Sequence, residues 1–394
     1  MASINRNQGF SRRSFLHLGA AASTAAAFHM MTEPLLAAAK RGPLPKDAVV
    51  IDKNENPLGP CQAAREAITA VIPQGGRYSL YLIDDLGETL AQMEGLSQES
   101  VDVFAGSTPA LYDTVRAFTS PQKSYVTADP GYEAGMFAAG QAGARVVKVP
   151  LTKTFAHDVR AMIAAAPDAG VFYICTPNNP TGTLTPHEDV EYLLENKPKG
   201  SMVLVDEAYI HFSGAPSTLD LVKAGKDIIV LRTFSKIYGM AGLRCGLAIA
   251  RPDLLKAIHA YGGWNFMPVT ALVAASASLK DAQLVPERRR INASIRQATF
   301  EWLERNGYSY SPSESNCFLL ETHRPGKEVI EAMAKQNIFI GRIWPVMPTC
   351  VRITVGTQAE MEKFEEAFQR VMRGTVAFAM PGSAQTRKHP VLIS

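Results

Sequence analysis

Four polar clusters in the sequence carry side chains that could do chemistry, and each directly follows an apolar run that is typical of a strand. The clusters are Gly106–Pro109, Thr176–Gly182, Asp206–Tyr209 and Thr233–Lys236. They supply hydroxyl, amide, carboxylate, phenol and amine groups, which can bind ligands and move protons. A single cluster has a plainer interpretation, because N-P-T-G is a good turn and D-E-A-Y suits a helix cap. Ligands of α/β sheets bind at the carboxyl ends of strands, so the four together predict a ligand site at one sheet edge.

The elements that must position these clusters alternate from about residue 101 onward. The predicted strands are Val101–Phe104, Tyr125–Ala128, Arg145–Val149, Val171–Cys175, Met202–Val205, Ile228–Arg232 and Arg244–Ile249. Helical patterns lie between most of them, for example Thr108–Thr119, Asp158–Ala165 and Pro186–Leu194. Runs that are apolar throughout suit strands buried on both faces. The alternation therefore predicts an α/β fold on a mostly parallel sheet.

A second, smaller α/β domain is expected after the long helical pattern over Val285–Asn306. Its predicted strands and helices are Cys317–Glu321, Ile338–Ile340, Val351–Val355, Lys327–Lys335 and Gln358–Met372. We expect the following division of the chain: a segment at 40–75 that joins the small domain, a large domain at 76–283, the small domain at 284–373 and a loosely held tail at 374–394.

Composition excludes several classes of protein. The chain has 394 residues, of which 46% are hydrophobic and 20% charged, which rules out a disordered or collagen-like chain. A net charge of +3, with no basic tract longer than Arg288–Arg290, argues against nucleic-acid binding. The five cysteines are widely spaced without a C-x-x-C pair, so neither a metal site nor a complete disulfide framework is expected.

The first 39 residues are typical of a signal peptide, with a basic start, a weakly apolar stretch and an A-x-A-like site at 37–39. The pair Arg12–Arg13 before Ser-Phe-Leu indicates the twin-arginine export signal of bacteria. We therefore expect a periplasmic protein, with a cytoplasmic location as the alternative. A membrane anchor or an amphipathic helix is a plainer interpretation of the segment. Its apolar run is interrupted, however, and no later stretch reaches the about 18 apolar residues of a stable membrane span.

Six motifs along the chain resemble fold-type I pyridoxal-phosphate aminotransferases of the class I/II group, and within it the histidinol-phosphate aminotransferases. They are N-E-N-P-L-G-P at 54–60, R-Y at 77–78, T-P-N-N-P-T-G at 176–182, D-E-A-Y at 206–209, T-F-S-K at 233–236 and V-R-I-T-V-G-T at 351–357. The resemblance covers about residues 45–372, in the family's order. It implies a PLP-transferase fold: a seven-stranded, mostly parallel sheet in a large domain that binds pyridoxal 5'-phosphate, and a smaller α/β domain.

The resemblance implies roles for the polar residues around the cofactor ring. Lys236 would form the Schiff base with the cofactor aldehyde and then carry the substrate α-proton as base and acid. Asp206 would pair with the ring nitrogen and keep it protonated, so that the ring accepts electrons. Asn179 and Tyr209 match the pair that hydrogen-bonds the phenolic oxygen. Taken alone, Lys236 could be a surface lysine, Asp206 a helix cap and Asn179 a turn residue.

The cofactor phosphate has matching ligands in the same motifs. Thr233, Ser235 and Arg244 correspond to the family's phosphate ligands, and Arg244 lies in G-L-R-C-G at 242–246. Backbone N–H groups of Ser107 and Thr108, at the start of a predicted helix, would complete the cradle.

Two tyrosines and two further residues are expected to complete the site. Tyr132 matches the aromatic residue that stacks on the cofactor ring, and Tyr78 matches the tyrosine that reaches the phosphate of the neighbouring subunit. Tyr78 of the partner subunit would then make the protein a homodimer with shared active sites. Arg352 would grip the substrate α-carboxylate through a bidentate fork, and Asn56 would lie on a flap over the substrate. Both tyrosines could instead be ordinary core or interface residues.

The residues that select the substrate depart from the histidinol-phosphate pattern. Arg342 falls where that family often has an arginine for the substrate phosphate. The stretch 343–350 that follows looks shortened and apolar rather than phosphate-binding. Nearby aromatic side chains could face the substrate or merely pack the domain junction, and they are Tyr261, Trp264, Phe266 and Trp344.

The expected function is transfer of the amino group of a free amino acid, aromatic or histidine-like, to a 2-oxo acid. Histidinol-phosphate transamination is the runner-up, although export argues against a biosynthetic role. A lyase similar to threonine-phosphate decarboxylase and an oxygen-using oxidase or hydroxylase on the same scaffold are further alternatives. A non-enzymatic regulator usually needs a fused DNA-binding domain, for which residues 1–45 leave no room.

Overall fold

A seven-stranded sheet forms the centre of the computed structural model, which describes residues 44–262 and 266–374. Its strands are β2 (Val101–Phe104), β3 (Ser124–Asp129), β4 (Val146–Pro150), β5 (Ala169–Cys175), β6 (Met202–Asp206), β7 (Ile228–Thr233) and β8 (Gly246–Ala250). The strand order is β2-β8-β7-β6-β5-β3-β4. Within this sheet only β8 runs antiparallel to its neighbours β7 and β2. The predicted α/β fold with a mostly parallel seven-stranded sheet is therefore confirmed.

Helices join and cover the strands of this sheet. They are α1 (Gln62–Val71), α2 (Tyr81–Glu94), α3 (Ser107–Phe118), α4 (Ala134–Gln141), α5 (Val159–Ala165), α6 (His187–Asn196), α7 (Ile210–Ser213), α8 (Leu219–Lys223), α9 (Pro252–His259) and α10 (Val269–Lys280). Strands β5 to β8 are buried along their whole length, because their residues pack against neighbours on both faces. The sheet and its helices share one hydrophobic cluster, which extends from Cys61 to Leu284.

A second hydrophobic cluster lies around two small sheets. In one, β1 (Val49–Ile51) pairs in parallel with β10 (Ile338–Ile340), and in the other, β9 (Cys317–Glu321) pairs antiparallel with β11 (Cys350–Thr354). The helices here are α11 (Leu284–Arg305), α12 (Gly326–Ala334) and α13 (Gln358–Arg373). The sequence did not predict β1, because a three-residue strand carries no readable periodicity. The domain boundaries stay predictions.

The turn before β8 differs from the sequence-based expectation. The predicted strand begins at Arg244, whereas the observed one begins at Gly246. Arg244 has a φ of 60°, a left-handed conformation that ends strand geometry at this residue. A Cβ on Gly246 would lie 2.4 Å from the backbone nitrogen of Ser107, so this glycine lets β8 approach the start of α3.

A buried ion-pair network fixes the end of β6 against β7. Arg232 donates from Nε to the Glu207 carboxylate at 3.1 Å and from Nη1 to Glu94 at 2.6 Å. The same Glu207 carboxylate accepts from the backbone nitrogen of Thr218 at 2.7 Å. Because Glu207 is fully buried and bound on several sides, the residues before and after it, Asp206 and Ala208, are held in place as well.

Three predictions concern residues outside those that the structure describes: the signal segment at 1–39, the aromatic residue Trp264 and the tail after Gly374. Every described helix and strand belongs to the compact unit that begins at Asp47. Across residues 44–262 and 266–374, no helix combines the length and apolar character needed to cross a membrane.

Candidate active site

The polar clusters converge at the carboxyl ends of neighbouring strands, as the sequence predicted. Asp206 is the last residue of β6, and Lys236 follows the end of β7 by three residues. Asn179 lies in the loop after β5, the strand that pairs with β6. Since three adjacent parallel strands deliver these side chains to one edge, distant parts of the sequence share one site.

Lys236 lies at the centre of the group. Its Nζ donates to the backbone carbonyl of Lys53 at 3.2 Å and lies 5.5 Å from the centre of the Tyr209 ring. Burial, followed by the positive charge of Arg352, lowers the pKa of Lys236 to about 8. A lysine tuned in this way has a sizeable neutral fraction near neutral pH, which suits a nucleophile and a proton carrier.

Asp206 is a buried carboxylate with fixed hydrogen-bond donors. Tyr173 donates its hydroxyl to Oδ2 at 2.9 Å, and the backbone nitrogen of Ala208 donates to Oδ1 at 3.1 Å. Burial raises the pKa of Asp206 to about 6, against the opposing effect of the Tyr173 hydrogen bond. Sequence analysis missed Tyr173, since its position inside the apolar run of β5 marks it only as a core residue.

The predicted phosphate ligands lie together around the start of α3. Thr233 donates its hydroxyl to Ser235 Oγ at 3.0 Å, and Arg244 Nη1 donates to the same oxygen at 3.3 Å. Gly106 precedes α3 and has a φ of 90°, and a Cβ there would lie 2.1 Å from Arg244 Nη2. The backbone N–H groups of Ser107 and Thr108 belong to the unpaired first turn of α3, which favours an anion.

Arg352 and Asn179 form a direct link across the site. Arg352 donates from Nη1 to Asn179 Oδ1 at 2.9 Å and from Nη2 to the carbonyl of Asp52 at 2.6 Å. Its Nε is buried and has no hydrogen-bond partner in the protein. Burial lowers the pKa of Arg352 from its ordinary value. The guanidinium thus keeps one donor for a ligand that reaches this corner.

Asn54 reaches the site, whereas Asn56 has another contact. Asn54 is fully buried, donates from Nδ2 to the Tyr209 hydroxyl at 3.0 Å and accepts from Thr354 Oγ1 at 3.1 Å. Asn56 instead donates from Nδ2 to the carbonyl of Ile237 at 3.0 Å. The predicted place of Asn56 on a flap over the substrate stays a prediction, and Asn54 is a residue of N-E-N-P that the sequence did not single out. Asn54 has a φ of 54°, a left-handed backbone conformation that cannot be read from the sequence.

The two remaining tyrosines lie in different surroundings. Tyr132 lies near Thr108 at the start of α3, and burial raises the pKa of its hydroxyl. Tyr78 is 72% exposed, and its ring lies 4.8 Å from that of Phe266. The structure of one chain therefore brings Tyr132, but not Tyr78, to the cradle.

Arg342 lies beside Arg352 and is already paired with an acid. The backbone nitrogen of Arg352 donates to the Arg342 carbonyl at 3.0 Å, and the Arg342 guanidinium forms an ion pair with Glu133. Trp344 is almost fully buried, donates from Nε1 to the carbonyl of Gly131 at 2.9 Å and lies under both guanidinium groups. Glu133 could not be predicted from the sequence, because its partner Arg342 lies 209 residues away.

Residues 46–368 match the family described as aminotransferase class I and II. The chain belongs to the class I and II aminotransferases. A histidinol-phosphate aminotransferase of Moorella thermoacetica is 34% identical over 340 residues, which cover 83% of this chain and 86% of the relative. An aromatic amino acid aminotransferase of Cutibacterium acnes is 32% identical over 84% of this chain and 94% of its own.

A solved structure of the same fold contains the cofactor. The histidinol-phosphate aminotransferase of Sinorhizobium meliloti, in complex with pyridoxal-5'-phosphate, superimposes on this aminotransferase with a TM-score of 0.78. It is 25% identical and covers 88% of this chain and 98% of its own. The chain is thus a pyridoxal-phosphate-dependent transaminase, as the sequence predicted.

The residues present fit pyridoxal 5'-phosphate. The glycine-lined cradle with Arg244, Ser235 and the start of α3 suits its phosphate, and the buried Asp206 carboxylate suits a protonated ring nitrogen. Lys236, with its lowered pKa, suits the aldehyde. When bound, the cofactor supplies an electron sink for the pair left at the substrate α-carbon.

We expect the rate at which the apoprotein captures pyridoxal 5'-phosphate to follow the pKa of Lys236. Only the neutral amine attacks the aldehyde, so the rate should rise roughly tenfold per pH unit below about pH 8 and level off above it. Stopped-flow absorbance measures this curve, and borohydride then fixes the cofactor to the wild-type chain. Lys236→Ala is the control, to which no cofactor should be fixed. A midpoint near the ordinary lysine value of about 10.4 would contradict the prediction.

Proposed function

We propose that this aminotransferase moves the amino group of a free amino acid with an aromatic or histidine-like side chain to a 2-oxo acid. The observation that carries the proposal is the corner formed by Arg352 and Trp344. A buried guanidinium with an unpartnered Nε suits a carboxylate, and an indole ring lies 5.7 Å from it. Relatives named for histidinol phosphate and for aromatic amino acids support an imidazole or aromatic side chain.

The residues of this chain have distinct parts in the proposed reaction. Arg352 binds and orients the substrate carboxylate, which holds the α-carbon near Lys236. The Lys236 amine would take the α-proton as a base and then return it as an acid. Asp206 keeps a proton on the ring nitrogen by its negative charge. Because Asn179 Oδ1 accepts from Arg352, its Nδ2 is left to donate to the cofactor's phenolic oxygen, together with the Tyr209 hydroxyl.

The runner-up is transamination of histidinol phosphate, which lacks a carboxylate and would place its phosphate on an arginine. Relatives that bear this name support the alternative. A decarboxylase or an oxygen-using enzyme on the same scaffold would use the same lysine and aspartate. These reactions are therefore distinguished by measuring their products.

A screen of amino donors with the purified holoenzyme tests the proposal. Phenylalanine, tyrosine and histidine should each change the cofactor absorbance and yield the matching 2-oxo acid, without release of carbon dioxide or consumption of oxygen. A panel of 2-oxo acids should then restore the spectrum. Carbon dioxide release would favour the lyase, and oxygen uptake the oxidase. Turnover of histidinol phosphate alone would establish the runner-up.

Arg352→Ala should lower kcat/KM for every carboxylate-bearing donor by about 30- to several-thousand-fold. This corresponds to roughly 2–5 kcal/mol for an anion left in a desolvated site without its partner. The matched control is Arg251→Ala, which removes a partly exposed guanidinium that pairs with Asp253 beyond the end of β8 opposite to Gly246 and the cradle. Equal kinetics of both variants would contradict the role given to Arg352.

We further propose that the enzyme is a homodimer in which Tyr78 serves the phosphate site of the partner subunit. In the single chain Tyr78 is 72% exposed and the nearby Phe266 is 50% exposed. Leu80 and Tyr81 add exposed apolar surface beside them. An apolar surface of this kind suits burial against a second copy, and homodimers are typical of the family.

Mixing two inactive variants tests the shared site. In a hybrid dimer, the Tyr78→Ala chain keeps Lys236 and should receive an intact Tyr78 from the Lys236→Ala chain. Random reassembly should therefore restore about a quarter of wild-type activity, because half of the dimers are hybrids with one good site each. Each variant assayed alone gives the baseline. No recovery after verified subunit exchange, or a protein of single-chain mass, would contradict the proposal.

The last part of the proposed function is export to the periplasm by the twin-arginine route. The support is Arg12–Arg13 before Ser-Phe-Leu and the A-x-A-like site at 37–39. This route carries folded proteins, which suits an enzyme that binds its cofactor before it leaves the cytoplasm.

Replacing both arginines by lysines, Arg12→Lys with Arg13→Lys, should abolish export while the charge is kept. Fractionation followed by immunoblotting measures the periplasmic share, and the pair Arg289→Lys with Arg290→Lys in α11 is the matched control. Equal periplasmic amounts of the signal variant and wild type, or none of either, would count against the proposal.

A further inference from the structure

The corner that receives the substrate contains two arginines and one acid. Arg342 and Arg352 are joined through their backbones, and both guanidinium groups lie over the same indole ring of Trp344, at 4.7 Å and 5.7 Å. Glu133 follows the ring-stacking candidate Tyr132 in sequence and forms an ion pair with Arg342. Both side chains of that pair are largely buried, with 13% and 14% of their surface exposed.

The charges of this corner therefore do not match a substrate with two anionic groups. The Nε of each arginine is buried without a hydrogen-bond partner, but the Arg342 charge is balanced by the Glu133 carboxylate, whereas Arg352 donates to the neutral carbonyl oxygens of Asn179 and Asp52. A phosphate or second carboxylate would have to displace Glu133 or lie beside it, and like charges brought together in a desolvated site repel each other strongly. The sequence alone suggested Arg342 as a ligand of the substrate, and this pairing alters what the arginine can recognise.

We propose that Glu133 is a specificity-determining residue that neutralises Arg342 and rejects amino donors with a second anionic group. It thereby leaves the face formed by Arg342 and Trp344 to a flat, uncharged side chain. Specificity of this kind comes as much from a repulsive group as from an attractive one. The inference rests on the proposed function, because it concerns which donor occupies the same site.

If the inference is correct, removing the charge of Glu133 should change which amino donor the enzyme prefers. In Glu133→Gln holoenzyme, the ratio of kcat/KM for histidinol phosphate to that for phenylalanine should rise roughly 10- to 100-fold over wild type. Glu133→Asp keeps the charge and should keep the wild-type ratio within a few-fold. The double variant Glu133→Gln with Arg342→Gln should lose the gain, since the freed guanidinium is what attracts the phosphate.

A matched control separates the local pair from the net charge of the protein. Glu328→Gln makes the same substitution at an exposed carboxylate in α12, 61% of whose side-chain surface is accessible. It should leave the ratio unchanged, because an exposed ion pair contributes little. A rise of the ratio in Glu328→Gln equal to that in Glu133→Gln would overturn the inference.

Binding of inorganic phosphate to the holoenzyme supplies a readout that does not depend on turnover. Calorimetry should give at least a tenfold tighter dissociation constant for Glu133→Gln than for wild type, and the gain should vanish in the double variant. If no aromatic or histidine donor reacts, the proposed function fails, while this measurement still decides the role of Glu133. If donors react but neither the ratio nor phosphate binding changes, the inference alone fails.

If Glu133→Gln does not fold or does not retain the cofactor, the variant Arg342→Gln tests the inference instead. Arg342→Gln leaves Glu133 as an unpaired anion at the substrate corner. The ratio of kcat/KM for lysine to that for phenylalanine should then rise roughly tenfold or more, because a cationic side chain can replace the missing guanidinium. An unchanged ratio in a folded, cofactor-loaded Arg342→Gln protein would also overturn the inference.

Discussion

The hydrogen bond from Arg352 to Asn179 joins the two hydrophobic clusters of the enzyme at the point where its chemistry occurs. Arg352 is part of β11 in the second cluster, and Asn179 follows β5 of the central sheet. Asp52, just after β1, accepts from the same guanidinium. The proposed carboxylate site at Arg352 is therefore tied to Asn179, the proposed donor to the cofactor, so neither side chain can shift alone.

Burial brings the pKa values of Asp206 and Lys236 towards each other, to about 6 and about 8. Both shifts disfavour the charged form of the side chain, so Asp206 suits a cationic ring as its partner and Lys236 suits an aldehyde. The neighbouring Glu207 is buried too, but Arg232 and the Thr218 nitrogen bind it fully. Two adjacent buried carboxylates thus differ, because Glu207 is paired with a guanidinium whereas Asp206 accepts from the neutral donors of Tyr173 and Ala208.

Much of the site could be predicted because its residues lie in short, contiguous motifs at strand ends. Lys236, Asp206 and Asn179 are examples. The apolar runs before them predict the strands of the central sheet. Other features could not be predicted because they depend on pairings between distant segments. The Glu133–Arg342 ion pair spans 209 residues, and the place of Asn54 in the site rests on a contact with Thr354 across 300 residues. Residue type and local spacing do not reveal such contacts.

The parallel pairing of β1 with β10 has a consequence for biosynthesis on the ribosome. Val49–Ile51 emerges early, yet its partner Ile338–Ile340 is made near the end of translation. The strands of the central sheet that carry the phosphate cradle and Lys236 are complete long before that moment. The corner that depends on Asp52 and Asn54 therefore cannot form before their partners Arg352 and Thr354 are made, and closing so long a loop is slow. A nascent chain can thus acquire the cofactor-binding edge before it acquires the ability to recognise an amino acid.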